Sequence, residues 1–80
     1  MPRDVDKELI EIFCEIFHFK SKEEARLATS HTTPNWDSFN GLNLVLAVEK
    51  KFELNLSMAE LNQFKSFNTV CEVVEKNING

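Results

Sequence analysis

Few side chains in this 80-residue chain are of types that perform chemistry, and fewer are spaced to do it. Cys14 and His18 stand four apart, so on a helix they share one face and suit two ligands of one metal. A structural zinc takes four protein ligands, and only His31 and Cys71 remain, with no paired spacing. The simpler reading is two reduced cysteines on apolar helix faces, with His18 at a helix end where its charged form suits the dipole. No metal site is expected. Ser38 has Asp37 beside it and His31 seven residues upstream. Adjacent residues at a helix start point in different directions, so Asp37 is badly placed to orient a histidine toward Ser38. There is no G-x-S-x-G elbow and no glycine-rich phosphate loop. No catalytic residue is expected, and the chain is read as no enzyme.

One chemical role is left for Ser38: a point of attachment. A serine in the first turn of a helix turns its hydroxyl to solvent. A phosphate placed there meets unpaired backbone N–H groups and the positive end of the helix dipole. The competing reading is that Asp37 and Ser38 do no more than cap the helix. From the dipeptide alone that reading is the stronger, because both residues are favoured N-cap types.

The elements that would position Ser38 follow from hydrophobic periodicity. Val5, Leu9, Ile12, Phe13, Ile16 and Phe17 recur at three- and four-residue spacing, which predicts a first helix from Asp4 to about Phe19. Glu8, Glu11 and Glu15 line its opposite face. From Lys20 to Asn35 the pattern fades into a long polar connection, with one helical turn possible over Lys22 to Leu27. Ser38 to Phe52 reads as the second main helix. Phe39, Leu42, Val45, Leu46, Val48 and Phe52 cover more than half of its circumference, which predicts a mostly buried helix with a polar wedge of Asn40, Asn43, Lys50 and Lys51. Ser57 and Glu60 form an S-x-x-E capping box for a short helix ending near Phe64. Ser66 or Asn68 caps the last helix, carrying Phe67, Val70, Cys71, Val74 and Ile78, with Asn77 and Gly80 as stop signals. The expected fold is all-α: a small four-helix bundle of three main helices and one short helix, with a long first loop.

Bulk properties narrow the function. The length allows a single domain over residues 1–80 and one small core. A net charge of -4 disfavours nucleic acid and an anionic membrane surface as partners. No apolar run approaches the ~20 residues that span a bilayer, and Met1-Pro2-Arg3-Asp4 leads straight into charged residues without an apolar stretch. A cytoplasmic monomer without stable membrane association is expected.

The stretch from Pro34 to Phe52, with Asp37-Ser38-Phe39 opening a helix, an aliphatic run after it and Glu49-Lys50-Lys51-Phe52 closing it, resembles the acyl carrier protein family. That family carries an Asp-Ser-Leu signature at the start of its second helix; Asp37 matches it and Phe39 stands where leucine is usual. Trp36 is similar to a feature of specialised bacterial carriers. The resemblance runs without gaps through Leu56, Glu60, Phe64, Val70 and Val74, and reaches the first helix by pattern only. It implies a 4'-phosphopantetheine arm on Ser38, taken from coenzyme A by a Mg-dependent phosphopantetheinyl transferase. It also implies acyl-transferring and acyl-modifying enzymes as partners, recognising Asp37, Phe39, Asn40, Asn43, Leu46, Glu49 and Lys50. Family members usually carry acidic residues where this chain has Asn40, Asn43 and Lys50. The resemblance implies that partners of ordinary carriers present basic patches; like charges brought together exclude a partner, so this departure points to a dedicated pathway rather than general fatty-acid synthesis.

Two other readings stand beside this one. An aminoacyl or peptidyl carrier, such as a D-alanyl carrier, would use the same serine. A cofactor-free helical interaction domain would explain every apolar position by packing alone. The expected interior is Phe13, Phe17, Phe39, Leu42, Leu46, Phe52, Leu56, Phe64, Val70 and Val74. The connection from Lys20 to Asn35, anchored only by Leu27, is expected to be the most mobile ordered region.

Overall fold

A computed structural model describes residues 4–79, the side chain of Asn79 excepted. Met1 to Arg3 and the expected stop signal Gly80 lie outside the described residues. Five helices follow one another: α1 (Val5–Phe17), α2 (Lys22–Arg26), α3 (Ser38–Phe52), α4 (Met58–Leu61) and α5 (Phe67–Asn79). The all-α bundle read from the sequence is thus the architecture. The first connection adds α2 where the sequence offers a single possible turn.

Local chemistry sets the helix boundaries. Asp4 caps α1 by accepting from the Lys7 N–H at 3.0 Å, and Ser21 caps α2 by accepting from the Glu24 N–H. α1 ends two residues earlier than its apolar pattern suggests, because His18 takes the left-handed conformation (φ 59°) and its N–H bonds back to the Cys14 carbonyl. Glu53 ends α3 in the same way at φ 55°. The capping box of α4 forms as read, with Ser57 and Glu60 exchanging backbone-to-side-chain bonds. α4 stops at Leu61, short of Phe64, and irregular turns lead to α5. Ser66 opens α5 by accepting from the Thr69 N–H.

The core sits where α1, α3 and α5 meet. Leu9, Phe13 and Phe17 from α1, Leu44, Val48 and Phe52 from α3, and Phe67, Val70 and Val74 from α5 are buried, and Phe64 closes one end. Phe13 is the hub: its ring meets Phe67 edge-on at 5.1 Å and Trp36 at 5.6 Å, and lies 5.7 Å from Phe17.

Three members of the expected interior are misplaced. Phe39, Leu42 and Leu46 are exposed, at 72, 57 and 54% of their full area. Leu56 is half-buried against the core. Nor is α3 mostly buried; its buried residues are Leu44, Val48 and Phe52. The reason is phase. Leu44, Val48 and Phe52 recur every four residues and form one stripe, whereas Phe39, Leu42 and Leu46 form a second stripe on the other side. α3 packs on α1 and α5, which lie on the first stripe's side. A hydrophobic count cannot tell which of two apolar stripes a short chain covers.

The first connection is also better anchored than expected. Leu27, its supposed anchor, is 78% exposed, while Ala25, Ala28 and Thr33 are buried. Backbone bonds from the Phe67 N–H to the Ala28 carbonyl (3.0 Å) and from the Ser30 N–H to the Lys65 carbonyl (2.8 Å) tie it across the start of α5. They give an isolated antiparallel bridge between Thr29 and Ser66.

The two stripes of α3 predict opposite outcomes. Phe52→Ala should cost about 3–5 kcal/mol, the usual range for a buried phenylalanine, and lower Tm by more than ten degrees. Leu46→Ala should stay within about 0.5 kcal/mol of the parent, as surface substitutions do. Thermal melts followed by circular dichroism measure both. Equal losses would show that the stripes are not distinguished in solution.

Candidate functional site

Ser38 is exposed and is the first residue of α3. Asp37 precedes it as N-cap, its carboxylate accepting from the Asn40 N–H at 2.9 Å. The Asp37 carbonyl accepts the first helical bond from the Gly41 N–H at 2.8 Å. Helix start and serine are therefore where the sequence puts them. The hydroxyl of Ser38 makes no hydrogen bond among the described residues. His31 is exposed, in the turn before the buried Thr33.

The segment before Ser38 is held by aromatic stacking and side-chain amides. Trp36 stacks on Phe17 with centroids 5.0 Å apart and rings inclined by 29°. The Asn35 side-chain amide donates to the Phe17 carbonyl at 3.2 Å, which supplies a donor to the open C-terminal end of α1. The Asn40 side-chain amide donates to the Asn35 carbonyl at 2.8 Å. Asn35 and these roles of Trp36 and Asn40 were not read from the sequence. The available signal was local: an amide residue and a large aromatic just before an N-cap, on a chain that must return to the end of α1.

The remaining residues singled out by sequence do not share one surface. Phe39, Leu42 and Leu46 form the exposed apolar stripe that starts beside Ser38. Asn40 and Asn43 are half-buried, and the Asn43 amide reaches the Asn40 side-chain oxygen at 3.5 Å. They do not form a free polar wedge with Lys50. Lys50 is exposed and lines, with Lys51, a shallow groove whose other wall is Glu8, Glu11 and Glu15 of α1. Glu49 turns to the following connection, its carboxylate accepting from the Leu56 N–H at 2.9 Å. A second groove lies between α1 and α2, along Asp6, Ile10, Lys22 and Arg26. Neither groove is lined by Ser38 or its neighbours.

Cys14 and Cys71 are both unpaired thiols, Cys14 half-buried and Cys71 buried. Burial pushes the Cys71 thiol up to about 12, helped by the charge of Asp6, to which it donates at 3.6 Å. Asp6 also pairs with Arg26 at 3.0 Å, so this small network joins α5, α1 and α2. No cluster of three or more potential metal ligands occurs among the described residues, and none of their helices is long and apolar enough to cross a membrane.

Comparison with protein-family models, with curated proteins and with solved structures finds no match in any of the three.

Electrostatics tie α4 to the bundle. α4 buries no residue of its own. Glu60 accepts from the Ser57 N–H at 2.9 Å and from the Asn77 side-chain amide at 2.6 Å, the latter on α5. The bond from the Ser57 backbone, followed by that from Asn77, holds the Glu60 carboxyl below its ordinary value of 4.5. A carboxyl lowered by folding stabilises the fold above its unfolded value, and that contribution is lost as pH falls through the folded value. The difference in Tm between the parent and Glu60→Gln should therefore be largest above pH 4.5 and shrink on acidification. A difference independent of pH would mean that the carboxylate charge plays no part.

Proposed function

We propose that this chain is a cytoplasmic, monomeric acyl carrier protein, with a 4'-phosphopantetheine arm on Ser38. The carrying observation is the setting of that serine: exposed, unbonded at its hydroxyl among the described residues, and first in a 15-residue helix capped by Asp37. An anionic phosphodiester at such a position is favoured by the dipole of the helix. Further support comes from the resemblance of residues 34–52 to acyl carriers.

A carrier needs an exposed anchor, a small stable body and a face beside the anchor for its enzymes. The stripe of Phe39, Leu42 and Leu46 supports the last of these. Exposed large apolar side chains grouped on one face commonly mark a protein contact. In this reading the occupant is an enzyme that loads, modifies or unloads the arm. The arm carries the acyl group as a thioester, and the chemistry on it belongs to those enzymes. Beside Ser38 this face presents apolar side chains, with Lys50 further along the helix. That suits dedicated partners that offer an apolar patch rather than a basic one.

Attachment is a phosphoryl transfer. The Ser38 oxygen bonds to the phosphorus that bears pantetheine in coenzyme A, and the bridging P–O bond of the pyrophosphate breaks. Adenosine bisphosphate leaves, and the hydroxyl proton passes to a base of the transferase or to solvent. Incubation with coenzyme A, Mg²⁺ and a broad-specificity phosphopantetheinyl transferase should add the mass of one phosphopantetheine to the parent chain. Ser38→Ala should fold as the parent does and gain nothing. Modification of the alanine variant, or a parent chain that no transferase modifies, would refute the assignment.

A further inference from the structure

We infer that Asn35 and Asn40 are positioning residues for the modification of Ser38, forming a relay of amide hydrogen bonds from the end of α1 to the first turn of α3. This inference rests on the reading of Ser38 as the attachment point. Because Ser38 is exposed, no packing fixes its side chain; its hydroxyl goes where the backbone of the first helical turn puts it. First turns are prone to fray, since their N–H groups have no partner within the helix. Here that turn is fastened on both sides of the serine. Before it, the Asn35 amide holds the Phe17 carbonyl at 3.2 Å, on a residue buried in the core. After it, Asn40 is bound twice: its backbone N–H to the Asp37 carboxylate at 2.9 Å, and its side-chain amide to the Asn35 carbonyl at 2.8 Å. The stacking of Trp36 on Phe17 lies between these bonds and keeps the segment against α1.

The relay requires an amide at position 40. Its nitrogen must donate to the Asn35 carbonyl, while its oxygen lies 3.5 Å from the Asn43 amide nitrogen. A carboxylate of the same size only accepts. It would face the Asn35 carbonyl without a donor, near the negative charge of Asp37. Asn40→Asp thus tests the relay at almost no change of volume. Asn35→Ala tests its other link, leaving the backbone carbonyl for Asn40 and removing the bond to Phe17.

A misplaced nucleophile slows the chemical step more than it weakens encounter with the transferase. Transfer from coenzyme A to the apo chain, followed by intact mass over time, should show kcat lowered about tenfold or more in both variants, with KM within about twofold of the parent. Asn35→Gln, which keeps the donor on a longer arm, should recover part of the loss seen in Asn35→Ala. In the parent chain the amides of Asn40 and Gly41 should exchange with solvent as slowly as those in the middle of α3. That measurement depends on no variant and on no modification. Fast exchange at both amides, or variants that fold and are modified at the parent's kcat, would overturn the positioning role while leaving Ser38 as the attachment point. A parent chain that is never modified would overturn both.

Discussion

The structure turns on the burial of Phe13 between three parts of the chain. Its ring belongs to α1, touches Phe67 at the start of α5, and meets Trp36 just before α3. A small domain has one core and little spare burial. Placing a fully buried aromatic at the junction of its three long helices sets their mutual arrangement. Phe17, one turn on, stacks with Trp36 and offers its carbonyl to Asn35. The same turn of α1 therefore contributes to the core and holds the segment that leads into α3.

From that arrangement follows the two-sided character of α3. Its inner stripe of Leu44, Val48 and Phe52 is consumed by packing on α1 and α5. Its outer stripe is left uncovered and runs from the serine along the helix. In the proposed carrier these are complementary needs: a rigid inner face that holds the anchor still, and an outer face free for enzymes. The short α4, held by its capping box and by Glu60 to Asn77, adds little to the core. Cys71 is buried on α5 and its thiol faces Asp6 of α1.

Much of this was legible in the sequence. The limits of α3, the cap Asp37, the capping box of Ser57 and Glu60, and most of the inward faces of α1 and α5 follow from cap chemistry and from periodicity along one helix, though Ile10 and Val73 were missed and Ile78 is exposed. Legibility failed where the answer depended on what lies opposite. The outward phase of Phe39, Leu42 and Leu46 required knowing that α1 and α5 share one side of α3. Ala25 and Ala28 anchor the first connection because α5 passes close by, and a polar stretch carries no sign of that. Asn40 read as part of a surface wedge, although its amide is spent on a backbone carbonyl five residues earlier. Side-chain bonds to backbone carbonyls leave no periodic trace.

The central claim, that Ser38 carries the arm, is tested most directly on the protein as cells produce it. The chain is recovered from its native source, digested, and its peptides mapped by tandem mass spectrometry. The account predicts phosphopantetheine on the peptide containing Ser38, with fragment ions assigning it to that serine and every other serine and threonine unmodified. Phosphopantetheine on another residue, or a chain recovered wholly without it from cells whose other carriers are modified, would contradict it.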